Sequence, residues 1–327
     1  MKIGVLCSGG DAPGMNPCLR AIIRAAENYN DSVVGIRHGY QGVFNEEFWG
    51  GIDRKIDPRE VSGLTSRGGA FLNSSRCARM MEKEGLEEAA EILNNHKFDA
   101  LIPIGGNGTI SGARDLGEYW KGQIIGVPGT IDNDLMGTDY TIGFATAVTT
   151  GVEAIDKLRD TAGSHDMMFV VEVMGRHCGD LAASIALAGG CEIVAVPEVK
   201  TSIEEIVANL KRYKALGKRS IIMVVAEGDD YGHAGEIMKA LEEAGCPFEL
   251  RSVVLGHVQR GGVPTPSDRV LATKLGCFAV DALHRGETGK LVGLVNGRLE
   301  LTDFNEALSQ KRQTAIEIKE FIDRMSI

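Results

Sequence analysis

Short apolar runs rich in valine and isoleucine alternate with longer segments whose apolar residues recur at spacings of three and four, almost from end to end of the chain. The short runs are Ile3–Cys7, Val33–Ile36, Ala100–Ile104, Ile124–Val127, Phe169–Val173, Ile193–Val196, Ile221–Ala226 and Ser252–Leu255. They show little polar alternation and so predict strands covered on both faces. Between them, Leu86–His96, Phe144–Asp160, Ile203–Leu216, Ala234–Ala244 and Asp268–Leu283 predict amphipathic helices, with a terminal helix over Ala307–Met325. Such alternation is the mark of βαβ units and parallel sheets. No low-complexity linker divides the chain, so two domains would share a broad interface, with strands crossing between them.

A length of 327 residues suits one large α/β domain or two smaller ones. With 43% hydrophobic and 24% charged residues, the chain is not disordered, collagen-like or a coiled coil. Its net charge of −10 disfavours nucleic acid and anionic membranes as partners. No run approaches membrane-spanning length. One lysine before Ile3–Cys7 does not read as a secretory signal. The 7 cysteines are odd in number, scattered and never in Cys-x-x-Cys spacing, which points to reduced thiols in a cytosol rather than to disulfides or zinc. Asn73-Ser74-Ser75 and Asn107-Gly108-Thr109 are then chance matches to a glycosylation acceptor. Glycine is the outlier, 42 residues, nearly twice the ordinary share of about 7%.

Many of those glycines sit where ligands bind in open α/β sheets, beyond the carboxyl ends of strands. Ser8-Gly9-Gly10-Asp11-Ala12-Pro13-Gly14 follows the first predicted strand, Gly105-Gly106-Asn107-Gly108-Thr109 the third, and Pro128-Gly129-Thr130-Ile131-Asp132-Asn133-Asp134 the fourth. The first two lead into helices, whose amino ends offer free N–H groups to an anion. No Gly-Lys-Ser/Thr is present, the dinucleotide fingerprint lacks its third glycine, and protein-kinase signatures are absent. Asp132 and Asp134 suit phosphoryl transfer, either by accepting a proton from an attacking hydroxyl or by helping to hold Mg²⁺. An Asx-turn or helix cap is the bland alternative. Arg67, Arg76, Arg176, Arg251 and Arg260, in or near glycine-rich segments, are candidates for phosphate contacts.

These motifs resemble the ATP-dependent 6-phosphofructokinases of the bacterial type. The resemblance runs through residues 9–16, 128–134, 137–144, 171–177 and 255–262, in order through almost the whole chain. It implies two interleaved Rossmann-like three-layer α/β domains with mostly parallel sheets. The larger, nucleotide-binding one would hold residues 1–142 and 257–303, and the smaller, sugar-phosphate-binding one 143–256 and 304–327. It implies transfer of the γ-phosphoryl of ATP to the 1-hydroxyl of fructose 6-phosphate, with Mg²⁺ as cofactor, in the cytoplasm. Asp132 matches the general base, accompanied by Thr130 and Arg176. Gly10, Arg76, Cys77, Gly106, Asn107, Gly108 and Thr109 match the nucleotide site, and Asn107 and Asp134 the metal position. Thr130, Ile131, Asp132, Met174, Gly175, Arg176, Glu227, Arg251, His257 and Arg260 match the sugar-phosphate site. Arg251 would reach in from a neighbouring subunit, implying a homotetramer, or at least a dimer, with active sites completed across subunits. Glycine at 108 and 129, where pyrophosphate-dependent relatives carry aspartate and lysine, leaves room for ATP as donor.

Three departures stand out. Asn107 replaces a usual acid, which weakens any hold on Mg²⁺. Met167 stands where the family typically places an arginine for the sugar's 6-phosphate. Three readings follow: weak binding of fructose 6-phosphate, another acceptor such as sedoheptulose 7-phosphate, or a neighbouring cation that supplies the charge. The effector site is matched by Arg20, Arg24, Arg159, Glu192 and Lys218 but not at Pro58 and Gly63, which predicts blunted regulation. The rivals are a catalytically weakened ligand sensor, suggested by Asn107 and Met167, and a nucleotide-binding oxidoreductase, disfavoured by the missing fingerprint.

Overall fold

The structure, a computed structural model, describes residues 1–309 and 313–326. In chain order the elements are β1 (Lys2–Ser8), α1 (Met15–Glu27), β2 (Ser32–Ile36), α2 (Gln41–Phe44), α3 (Lys83–Asn95), β3 (Ala100–Gly105), α4 (Asn107–Leu116), β4 (Gln123–Thr130), β5 (Ile142–Gly143) and α5 (Phe144–His165). There follow β6 (Met167–Val173), α6 (Asp180–Ala188), β7 (Ile193–Ala195), α7 (Ile203–Ala215), β8 (Ile221–Ala226), α8 (Ala234–Glu243) and β9 (Glu249–Val254). The last are α9 (Pro266–His284), β10 (Lys290–Val295), β11 (Arg298–Asp303), α10 (Phe304–Ser309) and α11 (Thr314–Met325). The expected terminal helix over 307–325 is two helices among the described residues; 310–312, inside that expectation and inside the expected 304–327 segment, lie outside them, as does 327.

The chain divides into two units, one of residues 1–146 and 260–309, the other of 147–259 and 313–326. In the first unit, strands run in the order β11-β10-β4-β3-β1-β2, with β5 beside β4. All pair in parallel except β10 with β11. Leu6, Val34, Ile36, Leu101, Ile124 and Leu291 bury one face of this sheet against α3, α4 and α10. Strand periodicity sends the intervening side chains to the opposite face, where α9 packs on β4 and against α1. Pro103 sits in the central strand β3, where a missing N–H would break a ladder. The β3–β4 register accordingly skips from Leu101↔Ile124 to Ile104↔Val127. Phe304 and Ala307 are buried in this first unit's core, whereas the expected segment from 304 onward belonged with the smaller domain; α10 follows directly on β11 and covers the same sheet.

In the second unit the sheet order is β7-β8-β6-β9, all parallel. Met168, Val170, Ile193, Ala195, Ile221, Met223 and Val225 face Val207 and Leu210 of α7 and Ile237 and Leu241 of α8. On the other face α6 lies against β7 and β8 and meets α11. Strand β9 differs from expectation: it is three residues longer at its start, and most of its side chains are exposed, because it is the sheet edge rather than a covered strand.

Candidate active site

The three glycine loops leave the first sheet level with one another. Ser8 pairs with Gly105 and Gly105 with Pro128, so the three segments begin level on adjacent strands; β1 and β3 end there, while β4 runs two residues further, to Thr130, beside β5. Their order in the sheet, invisible in the sequence, sets the loops side by side. Thr109, in the first turn of α4, ties two of them together: its Oγ1 donates to the Ser8 carbonyl at 3.0 Å, and its own carbonyl accepts from the Tyr40 hydroxyl at 2.9 Å. Gly106 stands as the cap before α4, whose first N–H groups open toward these loops.

The loop after β4 holds the candidate base. Asp132 is buried, 7% exposed, and its N–H donates to Thr130 Oγ1 at 3.2 Å. Asn133 takes a left-handed backbone, φ 53°, that asparagine tolerates better than most residues. Its Oδ1 accepts from Thr141 N at 2.9 Å and Thr141 Oγ1 donates to the Thr130 carbonyl at 2.6 Å, so the loop is pinned at both ends. Asn107 Nδ2 donates to Asp134 Oδ2 at 2.5 Å, bringing the two expected metal positions together.

That pair offers one carboxylate and one amide. Among the described residues no group of three or more His, Cys, Asp or Glu side chains is arranged to hold a metal. The set fits Mg²⁺ bound mainly through nucleotide phosphates and water, with one carboxylate from the protein, rather than a protein-only cage.

Arg260 lies in this first unit, as do Thr130, Ile131 and Asp132, whereas Met174, Gly175, Arg176, Glu227, Arg251 and His257 belong to the second. A Cβ built on Gly10 would stand 2.9 Å from Arg260 Nη1, so the guanidinium rests against the first glycine loop. Arg76 is exposed and Cys77 half-buried; the Cys77 thiol contacts Gln41 Oε1 at 3.6 Å, and burial pushes its pKa up, away from a reactive thiolate. Nothing lies within 4 Å of a Cβ on Gly108, whereas one on Gly129 would meet Ile104 Cγ2 at 2.9 Å and Met15 Cε at 3.2 Å. Packing thus enforces glycine at 129, and 108 is open.

In the second unit Met174, Gly175 and Arg176 leave the carboxyl end of β6. Glu227, just past β8, accepts from Arg176 N at 3.0 Å and donates its own N–H to the Val173 carbonyl at 2.9 Å. Arg176 is exposed, with φ 52°. A Cβ on Gly228 would stand 1.6 Å from the Arg176 carbonyl oxygen, so only glycine lets the two loops close up. We expect Gly228→Ala to force the two loops apart and to cost about 1 to 3 kcal/mol of stability, the scale of an overpacked site, as read by urea titration. Sequence reasoning assigned no role to Gln259, inside the 255–262 motif. It is fully buried, and its Oε1 accepts from Met174 N at 2.9 Å. A lone glutamine among exposed neighbours such as His257 and Val258 gave no polarity signal for this burial.

Arg251 is not brought to that loop. It pairs in register with Phe169, five residues before Met174, or roughly 16 Å along a strand. Its guanidinium donates to Glu249 and to the Leu250 carbonyl. Met167 lies at the same end, in register with Glu249, and next to it Arg219 Nε donates to Asp166 Oδ1 at 2.6 Å. The effector candidates in this unit do gather: Glu192 Oε1 lies 3.5 Å from Lys218 Nζ and 3.8 Å from Arg159 Nη1, while its Oε2 accepts from Ile222 N. In the first unit Arg24 donates to Ser62 Oγ, in the turn that contains Pro58 and Gly63. No helix among the described residues is long and apolar enough to cross a membrane.

The family model described as phosphofructokinase matches residues 2–283. A relative from Clostridioides difficile (strain 630), described as an ATP-dependent 6-phosphofructokinase, is 46% identical over 99% of both chains. One from Paenibacillus macquariensis with the same description is 45% identical, covering 99% of this chain and 98% of its own. Among solved structures, phosphofructokinase from Saccharomyces cerevisiae superposes with a TM-score of 0.85 at 31% identity; the match covers all of this chain and 48% of that one, so this chain spans about half of the yeast protein's length. The match extends across the elements that carry all three glycine loops, Asp132 and the Met174–Arg176 turn, and the chain belongs to the phosphofructokinase family.

Proposed function

We propose that this enzyme transfers the γ-phosphoryl group of ATP to the 1-hydroxyl of fructose 6-phosphate in glycolysis, in the cytoplasm. The observation that carries the reading is the level alignment of three glycine loops on adjacent strands, with a buried aspartate on the third. Phosphoryl transfer asks the protein mainly for positioning and charge neutralisation, which backbone N–H groups and arginines supply. Gly10, Gly106, Gly108, Thr109, Arg76 and Cys77 take the nucleotide. Asp132 accepts the proton of the attacking hydroxyl, and Thr130 and Ile131 flank the transferred group. Asp134 and Asn107 would hold Mg²⁺, which when bound neutralises charge on the donor phosphates. Arg176, Glu227, His257, Met174, Gly175 and Arg260 take the acceptor.

The remoteness of Arg251 from the Met174–Arg176 turn supports its serving a neighbouring subunit's acceptor, hence a homotetramer or at least a dimer. The Asp166–Arg219 pair beside Met167 supports the reading in which a neighbouring cation replaces the absent arginine charge. Packing around Gly129 argues against a lysine-gripped pyrophosphate donor.

Initial rates with Mg²⁺ test the proposal, with ATP or pyrophosphate as donor and fructose 6-phosphate or sedoheptulose 7-phosphate as acceptor. Turnover is expected with ATP and fructose 6-phosphate. A higher kcat/KM for sedoheptulose 7-phosphate, or for pyrophosphate, overturns the assignment of acceptor or donor; ATP binding without turnover of any pair favours a sensor.

A further inference from the structure

Residues 72–75 form a strap between the first glycine loop and the turn after β2. On one side Gly9 N and Ser8 Oγ both donate to the Ser75 carbonyl, at 3.0 and 3.2 Å, and Ser74 Oγ donates to the Gly9 carbonyl at 2.9 Å. On the other side the strap's hydrogen bonds go to His38. Ser75 Oγ donates to its carbonyl at 2.6 Å, its N–H donates to the Leu72 carbonyl at 2.9 Å, and Asn73 Nδ2 meets its Nε2 at 2.9 Å. The other ring nitrogen, Nδ1, meets Glu47 Oε2, and Glu47 Oε1 accepts from Asn45 Nδ2 at 2.9 Å. Asn45 and then His38 hold the Glu47 carboxyl below the usual range. His38 has φ 57°, a backbone region that non-glycine residues seldom enter and that persists only where the surroundings impose it. Arg76 and Cys77 follow the strap directly.

We propose that His38, oriented by Glu47, is a positioning residue for the nucleotide. Through Asn73 and Ser75 it sets where the Gly9–Gly10 loop and Arg76–Cys77 stand. Asn73, whose sequon match has no other use, is thereby part of this clasp. The inference rests on the proposed reading that these loops take ATP.

Steady-state kinetics of the full-length enzyme test it, with His38→Ala, His38→Asn, Glu47→Gln, Asn73→Ala and Arg76→Ala. His38→Ala is expected to raise the KM for ATP about five- to tenfold, with kcat at saturating ATP and the acceptor KM within about twofold. Glu47→Gln and Asn73→Ala should shift the ATP KM in the same direction by less. His38→Asn, which tolerates the left-handed backbone and keeps a polar contact, should recover part of the loss. An unchanged ATP KM, or an equal rise for donor and acceptor, overturns the clasp. If His38→Ala does not fold, the half-exposed Glu47 and exposed Asn73 carry the same comparison. If Arg76→Ala leaves the ATP KM unchanged, the nucleotide-site reading fails instead.

Discussion

Asp132→Ala is expected to lower kcat about 10²- to 10⁴-fold, the range of a positioned general base, while the KM for ATP and for the acceptor changes little. Asp132 is 7% exposed, on a loop that its neighbours also hold. Thr130, Asn133 and Thr141 hold that loop by hydrogen bonds to backbone groups. Truncation at 132 removes the proposed proton acceptor and keeps these three hydrogen bonds, none of which uses its side chain. Asp132→Asn should behave the same way, since an amide keeps the shape and loses the basicity. A loss below tenfold in either variant, with folding intact by circular dichroism, would show that Asp132 is not the base.

Asp268→Ala is expected to cost about 3 to 5 kcal/mol of stability, the scale of a broken buried polar network. Asp268 is 1% exposed and joins the start of α9 to the start of α5. Its carboxylate accepts from Gly143 N at 2.9 Å, from Thr146 N at 2.8 Å and from the Thr146 and Thr265 hydroxyls. Deleting it strands two backbone N–H groups away from water. The same group gives a pH signature. Burial raises the Asp268 carboxyl pKa above 3.8, against the hydrogen bonds from Thr146 and Gly143, which lower it. The folded chain then binds this proton more tightly than the unfolded chain, so this group's contribution to stability falls as pH rises through the interval above 3.8. Asp268→Asn should remove that part of the dependence. Urea titrations of both proteins across acid pH read it; a variant whose stability follows pH just as the parent does would show that Asp268 does not titrate in that interval.

The strands legible in the sequence were those whose burial is decided locally. Runs such as Ile3–Cys7 and Ile221–Ala226 are apolar on both faces and became interior strands. The β10–β11 hairpin was missed although its signal was present: Asn296-Gly297 joins the closing pair Val295↔Arg298, both with positive φ, as a two-residue turn requires. The polar residues of β11 hid the strand, because one of its faces meets solvent. Helix α6 escaped for the opposite reason, since a nearly all-apolar Asp180–Ala188 lacks the contrast that marks an amphipathic helix.

For the site, motif order along the chain was enough to single out the three loops, Asp132 and Asp134, because the turn and phosphate chemistry they need is written in adjacent residues. Sequence also excluded the Walker and dinucleotide alternatives. What only the tertiary structure decided is which of these residues meet. Strand order placed the starts of the three glycine segments, Ser8, Gly105 and Pro128, level on adjacent strands, and it left Arg251 on an edge strand far from the Met174 turn. Contacts over long separations, Gln259 to Met174 and Ser75 to His38, depend on where the chain returns. Local propensity acts over a few residues, whereas such pairings follow from the burial of whole faces, and that cooperative condition is not written at any single position.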